Sequence, residues 1–112
     1  MDQAKSLYAK YKEEREGAVV VESEHGFASA VPFGDFWYID DIYVMPEYRK
    51  SHIASDLADK LCTIGAERGF KKILGSVDPK ANGATTSLKV LLGYDMKLLD
   101  VKNEIIYFTK DL

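Results

Sequence analysis

The sequence has little of several features that define special classes of protein. Its single cysteine, Cys62, excludes an internal disulfide and suits a reducing compartment. No apolar stretch approaches the roughly 20 residues that a helix needs to cross a bilayer. Residues 1–5 lack the apolar core of a secretion signal. We therefore expect a cytoplasmic protein with no membrane partner.

Positive charge is scarce as well. The 15 lysines and arginines are outnumbered by 18 acidic residues, and no run of basic residues exceeds two. Proteins that bind nucleic acids through phosphate neutralisation concentrate Lys and Arg, so no nucleic-acid partner is expected. His25 has no cysteine or second histidine near it in the sequence, so no metal site is expected either.

Apolar residues, by contrast, are plentiful for the length of the chain. They make up 46% of the sequence, which is enough to cover one sheet with helices. A chain of 112 residues is too short to form two cores. The composition therefore predicts one folded domain over residues 1–112.

Hydrophobic periodicity predicts three helices and six strands. The helices are predicted at residues 3–16, 51–68 and 84–92. The strands are predicted at residues 18–21, 27–33, 36–45, 72–77, 96–101 and 104–109. Apolar stripes should face the core, and in the first helix the stripe is Ala4, Leu7, Tyr8 and Tyr11. The order α-β-β-β-α-β-α-β-β predicts an α/β (α+β) fold with a mixed sheet and helices on its faces.

A strand, a short polar loop and a helix follow one another between Ile39 and Ala54. Pro46 ends the strand, and the loop carries Arg49 and Lys50. The first turn of a helix has unpaired backbone N–H groups and a partial positive charge, which favour an anion. From the residues alone, this junction predicts a site for a phosphate-bearing ligand.

The same junction resembles motif A of the GNAT superfamily of N-acetyltransferases through Val44-x-Pro46-x-x-Arg49-x-x-x-x-Ala54. A second resemblance, to motif B, lies downstream at Asn82, Thr85, Gly93 and Tyr94. Together the motifs imply a GNAT-like fold with a mixed, mostly antiparallel sheet and flanking helices. They also imply acetyl-CoA as cosubstrate and a V-shaped gap between the strands at residues 36–45 and 72–77. The residues implied in coenzyme A binding are Ile42, Tyr43, Val44, Arg49, Lys50, Ser51, His52, Ile53, Ala54 and Asn82.

Two positions depart from the family pattern. His52 stands where motif A has its first glycine, a residue that permits close backbone approach and unusual dihedral angles. Its imidazole either narrows the site or pairs with phosphate, and we lean to the first. Lys89 stands where many members carry a tyrosine as general acid.

Two carboxylates, Asp40 and Asp41, lie in the middle of an otherwise apolar and aromatic strand. Strand alternation should send them to opposite faces, so at most one should face the acceptor. The segment Tyr38 to Val44 resembles a strand of spermidine/spermine acetyltransferases, and this resemblance implies that Asp40 is the base. The alternative is that Asp40 is a solvated strand residue.

Three functions are compatible with these observations. The first is an acetyl-CoA-dependent N-acetyltransferase acting on a primary amine of a small molecule or a protein. The second is a degenerate GNAT domain that binds coenzyme A or a protein partner without turnover. The third is an α/β interaction module without a coenzyme A site. The sequence leaves the acceptor and the oligomeric state open, including a homodimer.

Overall fold

The computed structural model describes residues 6–49 and 51–112. The helices are α1 (Leu7–Glu16), α2 (Ile53–Glu67) and α3 (Ala84–Gly93), with a 3-10 turn at Pro46–Tyr48. The strands are β1 (Val19–Glu22), β2 (Gly26–Phe33), β3 (Phe36–Val44), β4 (Lys72–Val77), β5 (Lys97–Lys102) and β6 (Ile105–Asp111). All nine predicted segments are confirmed. Their ends move by two residues or fewer, except at the start of α1, where predicted residues 3–5 lie outside the described part.

The described strands form one open sheet in the order β1-β2-β3-β4-β6-β5. All neighbours are antiparallel except β3 and β4, which are parallel. Parallel neighbours need a crossover connection, and α2 provides it. The predicted α+β fold with a mixed, mostly antiparallel sheet is therefore confirmed.

The main core lies between the sheet and α2. Trp37 is fully buried, and its indole Nε1 donates to the carbonyl oxygen of Leu61, 2.8 Å away. A β-carbon at Gly65 would overlap the Trp37 ring, so this glycine lets the helix approach the indole. Leu57 and Leu61 are also buried, which confirms the apolar stripe predicted for α2.

The apolar stripe predicted for α1 is wrong. Leu7 and Tyr11 are 84% and 56% exposed, whereas Ala9 and Lys12 are buried. Ala4 lies outside the described residues. The helix turns its lysine inward because carboxylates on the sheet neutralise the ammonium, while the aliphatic stem can pack as an apolar group.

The C-terminal part of the sheet is less well covered. In α3, Leu88 and Leu91 pack against the core, but Leu92 is exposed, contrary to the predicted stripe. β5 is an edge strand whose residues are all exposed. In the part of the chain that the structure describes, no helix combines the length and the apolar character needed to cross a membrane.

Candidate functional site

β3 and β4 separate after a short parallel ladder. Their pairing runs from Phe36 opposite Lys72 to Tyr38 opposite Leu74 and includes only three positions. The remainder of β3 therefore has no β4 partner along that edge. This arrangement confirms the predicted gap between the two strands.

Backbone direction decides which residues of β3 face this gap. The Met45 amide donates to the His25 carbonyl oxygen on the β2 side, 2.8 Å away. The Tyr43 carbonyl also points to β2, because a β-carbon on Gly26 would overlap it. Since backbone groups alternate in direction along a strand, Ile42 and Val44 present theirs to the gap. Of the three strand residues predicted to bind the cofactor, Tyr43 directs its backbone away from the gap.

A cleft of about 220 Å³ lies at the gap, between β3, the start of α2 and α3. Four of the predicted cofactor residues line it, namely Ile42, Arg49, Ser51 and Ala54. Two larger depressions, of about 630 and 590 Å³, include Arg68 at the other end of α2. Those depressions have neither the open strand edge nor the helix N-terminus of the cleft, although Arg68, Lys71 and Lys72 line the first of them.

The N-terminus of α2 opens toward this cleft with its first amides unused by the helix. His52 is the N-cap residue and its side chain makes no capping hydrogen bond within the described part of the chain. The first helical hydrogen bond runs from the Asp56 amide to the His52 carbonyl oxygen, at 2.9 Å. The amides of Ile53, Ala54 and Ser55 precede it and have no recorded acceptor among the described residues, so they can bind an anion.

His52 takes the glycine position of motif A without backbone strain. Its φ of −91° is ordinary for any residue, so the conformational freedom of glycine is not required here. The side chain is exposed and is not among the residues that line the cleft. These observations weigh against the expectation that His52 narrows the site.

Arg49 ties the loop to the end of β3. Its Nε donates to the Val44 carbonyl oxygen at 2.8 Å, and its guanidinium carbon lies 5.6 Å from the centre of the Tyr43 ring. Arg49 also lines the cleft, where its positive charge can attract an anion. Lys50, also predicted at this site, lies outside the described residues. Asn82 lies in the exposed turn before α3 and is not among the lining residues.

On the opposite wall, Lys89 and Tyr94 line the cleft from α3. Burial raises the pKa of the Tyr94 hydroxyl, and its hydrogen bond to Asp59 adds to the effect. The hydroxyl donates to Asp59 Oδ1 at 2.5 Å and lies 3.5 Å from Cys62 Sγ, so it links the end of α3 to α2. Burial also raises the pKa of the Cys62 thiol, which agrees with its interpretation as a small apolar residue.

A β-bulge places Asp40 and Asp41 on the same face of the sheet. Ser29 pairs with Asp41 and the next residue, Ala30, pairs with Ile39, so Asp40 is an extra residue in β3. Both carboxylates bind one ammonium on α1, that of Lys12. The prediction that alternation separates them is therefore wrong, because the bulge interrupts the alternation.

Five residues form a closed polar group that we call the Lys12 cluster: Tyr8, Lys12, Ser29, Asp40 and Asp41. Lys12 Nζ lies 2.8 Å from Asp40 Oδ2, 2.7 Å from Asp41 Oδ2 and 3.2 Å from Ser29 Oγ. Ser29 Oγ donates to Asp40 Oδ1 at 2.5 Å, and Tyr8 Oη donates to Asp41 Oδ2 at 3.1 Å. All three protons of the ammonium therefore have an acceptor.

Ion pairs hold the partly buried Lys12 cluster together. Burial alone would lower the pKa of Lys12, but its hydrogen bonds to Asp40 and Asp41 raise it well above the ordinary value. For Asp41, burial acts to raise the pKa, and the hydrogen bond and charge of Lys12 outweigh it, so the net shift is downward. Asp40 is thus not a solvated strand residue but part of an ion pair.

Sequence reasoning missed Lys12 because it lies beside the predicted apolar stripe, where a lysine is normally exposed. One signal was present, since two adjacent carboxylates in the middle of a strand need a cation nearby. Nothing in the sequence indicated which of its lysines and arginines would supply it. Within the described residues, no three His, Cys, Asp or Glu side chains are grouped closely enough to hold a metal ion.

The chain matches the acetyltransferase (GNAT) family over residues 2–91 and belongs to that family. The matched range includes α1, which lies before the segment covered by the two sequence motifs. No curated protein sequence matches the chain.

Several solved structures share the fold at low sequence identity. The PaiA N-acetyltransferase of Thermoplasma acidophilum, in complex with coenzyme A, has a TM-score of 0.77 and 13% identity over 95% of this chain and 69% of that one. An aminoglycoside 6'-N-acetyltransferase complexed with coenzyme A has a TM-score of 0.73 and 17% identity over 94% of this chain and 78% of that one. A GNAT acetyltransferase of Elizabethkingia anophelis with acetyl-CoA bound has a TM-score of 0.70 and 14% identity over 96% of this chain and 84% of that one. At such identities these structures show the shared fold.

Proposed function

We propose that this protein is an acetyl-CoA-dependent N-acetyltransferase that transfers an acetyl group to a primary amine. One observation carries the proposal: an open strand edge, left by the three-residue β3–β4 ladder, lies beside a helix N-terminus with unused amides. Membership of the GNAT family and relatives described with coenzyme A or acetyl-CoA bound support the same conclusion.

The chain's own groups suit each part of coenzyme A. The amides at the start of α2, together with Arg49, offer donors and positive charge to a diphosphate. The backbone of Ile42 and Val44 offers partners to the amides of a pantetheine arm. Acetyl-CoA, when bound, supplies an activated thioester carbonyl.

The acceptor side requires removal of a proton. A primary amine with a pKa of about 10.4 is mostly protonated at neutral pH and cannot attack a thioester in that form. Asp40 lies two residues past the last β3–β4 pair, at the bulge beside the gap. We assign it the role of base, acting directly or through water.

One observation favours a second candidate function. Asp40 and Asp41 already bind the Lys12 ammonium, as they would bind an incoming amine, and Lys89 replaces the usual tyrosine. A chain arranged in this way could hold coenzyme A or a protein partner without turnover.

Release of free thiol from acetyl-CoA across a panel of amines separates the two functions. The panel includes polyamines, aminoglycosides, lysine peptides and peptides with free N-termini, with mass spectrometry of the product. We expect at least one acceptor to gain an acetyl group at a rate above hydrolysis. Saturable binding of acetyl-CoA with no acetylated product from any class would favour the domain without turnover.

A further inference from the structure

We propose that Lys12 is a positioning residue for acetyl transfer, which keeps Asp40 and Asp41 both ionised and directs them to one point beside the β3–β4 gap. The catalytic consequence rests on the proposed function, whereas the ionisation of the pair can be measured without turnover. Nothing in the family motifs includes this lysine, since it lies on α1, 28 and 29 residues before the two carboxylates.

Hydrogen-bond donors face both oxygens of Asp40. Its Oδ1 lies 2.5 Å from the hydroxyl oxygen of Ser29, and its Oδ2 accepts from Lys12. Ser29 is fully buried, and the same hydroxyl oxygen lies 3.4 Å from Asp41 Oδ2. This arrangement suits a carboxylate at Asp40.

Without a cation, two carboxylates at this distance could not both stay charged. Oδ2 of Asp40 and Oδ2 of Asp41 both lie within 2.8 Å of the same nitrogen. Two carboxylates that share a site hold a proton between them, because like charges oppose the second ionisation. Lys12 removes this opposition by lying between them.

The exposures show from which side an acceptor could reach the cluster. The side chain of Lys12 is 7% exposed and that of Asp40 is 19% exposed, whereas that of Asp41 is 45% exposed. Glu16 adds a further carboxylate 3.5 Å from Lys12. Three carboxylates against one ammonium leave an excess of negative charge, and Asp41 presents it to solvent, where it can attract an ammonium acceptor.

Lys12 is not itself suited to be the acceptor. Its ammonium has three acceptors, and acetylation would remove the only positive charge of the cluster and leave two carboxylates unpaired. Among the described residues, the charged and titratable groups that contact it are Tyr8 and Glu16 on α1 and Asp40 and Asp41 on β3. From β2, it meets the neutral hydroxyl of Ser29.

The direct test is an NMR titration of the aspartate carboxyl carbons in the parent protein, Lys12→Met and Lys12→Arg. In the parent, we expect the carbon shifts of both aspartates to be those of carboxylates throughout the range above about pH 5. In Lys12→Met, the pair should take up one proton at a pH about one to two units higher than in the parent. Lys12→Arg should restore the parent behaviour. A proton shared by the pair in the parent above pH 6, or an unchanged titration in Lys12→Met, would overturn the proposal.

A second arm follows kcat/KM against pH for the best acceptor. The acid limb should move to higher pH in Lys12→Met by the same amount as the carboxyl titration, and it should return in Lys12→Arg. Lys10→Met, on the exposed side of α1, is the matched control and should leave the limb in place. If the acid limb of Lys12→Met stays in place and its KM for the amine falls, Lys12 is instead an internal competitor of the acceptor. This result would overturn the proposal.

The NMR titration and the kinetic measurement separate failure of the proposed function from failure of the role given to Lys12. If the parent shows no turnover but keeps both aspartates ionised, the proposed function fails and the assignment of Lys12 stands as a statement about the pair. If Lys12→Met does not fold, the titration of the parent and of Lys12→Arg still decides whether the pair is ionised.

Discussion

The two faces of β3 serve different purposes and are built in different ways. On the α2 face, Trp37 and Ile39 pack into an apolar core, and the adjoining cleft offers mainly backbone groups and a helix N-terminus. On the α1 face, Asp40 and Asp41 enter a closed network of charged side chains. A site made of backbone requires few particular residues, whereas a site made of side chains requires each partner. On the proposed function, the face that holds the cofactor should tolerate His52, while the face toward the acceptor should depend on the Lys12 cluster.

The largest expected effect comes from removing the charge of Asp40. Asp40→Asn should reduce kcat/KM by roughly 10²–10⁴-fold, the range for a positioned base, and should leave acetyl-CoA affinity unchanged. The reduction should be smaller at high pH, where more of the amine is already neutral. Asp35→Asn, in the exposed turn at the far end of β3, should retain parent activity. Steady-state kinetics over pH 6–9 measures this, and full activity of Asp40→Asn would remove Asp40 from the mechanism.

The next effect concerns stability on the α1 face. Lys12→Met leaves two carboxylates without their cation and should lower the free energy of unfolding by about 2–4 kcal/mol, less than for a fully buried pair because Asp41 is partly exposed. Lys10→Met should change it by less than about 0.5 kcal/mol, as surface substitutions usually do. Urea unfolding measures both, and equal midpoints would mean that the cluster adds nothing to stability.

The pH dependence of that difference follows from the two pKa shifts. Asp41 has a lowered pKa in the fold, so its contribution is present above its ordinary pKa and is lost as pH falls through the folded value. Lys12 has a raised pKa, so its contribution is complete below its ordinary pKa and is lost as pH rises through the folded value. The parent and Lys12→Met should therefore differ most between about pH 5 and 10.

The α2 face can be tested with a glycine pair. Gly65→Ala should lower the free energy of unfolding by about 2 kcal/mol, because the new methyl group meets the fully buried Trp37 ring. Gly93→Ala, at the end of α3, meets no atom within 4 Å and should be neutral or slightly stabilising. Thermal or urea unfolding measures the stability of both variants. Equal stability changes in the two variants would contradict the tight packing of Gly65 against Trp37.

A smaller effect is expected for Arg49, the charged side chain that lines the cleft from the described part of the loop. Arg49→Ala should weaken acetyl-CoA binding by about 1–2 kcal/mol through loss of a charged hydrogen bond to phosphate. Arg68→Ala, at the other end of α2, is the control of equal charge change. Calorimetric titration measures both affinities, and an unchanged value for Arg49→Ala would leave the helix amides as the anchor.

Most of the fold was predictable because its signals are local. Alternation and turn residues located the strands, and the spacing of Leu57 and Leu61 located the buried stripe of α2. In α1 the same reasoning failed, since Leu7 and Tyr11 form a stripe that the structure leaves exposed. There the buried face is selected by an ion pair with a distant strand, which periodicity does not reveal.

The candidate site divides in the same way. The strand end at Val44 and the start of α2 at Ile53 were predictable because these elements are adjacent in sequence. The common direction of Asp40 and Asp41 was not, because a bulge is set by the register against Ser29 and Ala30 on another strand. The partner of both carboxylates was not predictable either, since it lies on a separate helix.

Binding of acetyl-CoA at the β3–β4 gap is the central claim, and calorimetric titration of the parent beside two substituted proteins tests it most directly. Ala54 lines the cleft, so Ala54→Phe should fill it and abolish or strongly weaken binding. Ala66→Phe, on the exposed side of the same helix near its other end, should bind as the parent does. We expect one molecule of acetyl-CoA per chain for the parent and for Ala66→Phe. No binding by the parent, or equal binding by Ala54→Phe, would contradict the location of the site.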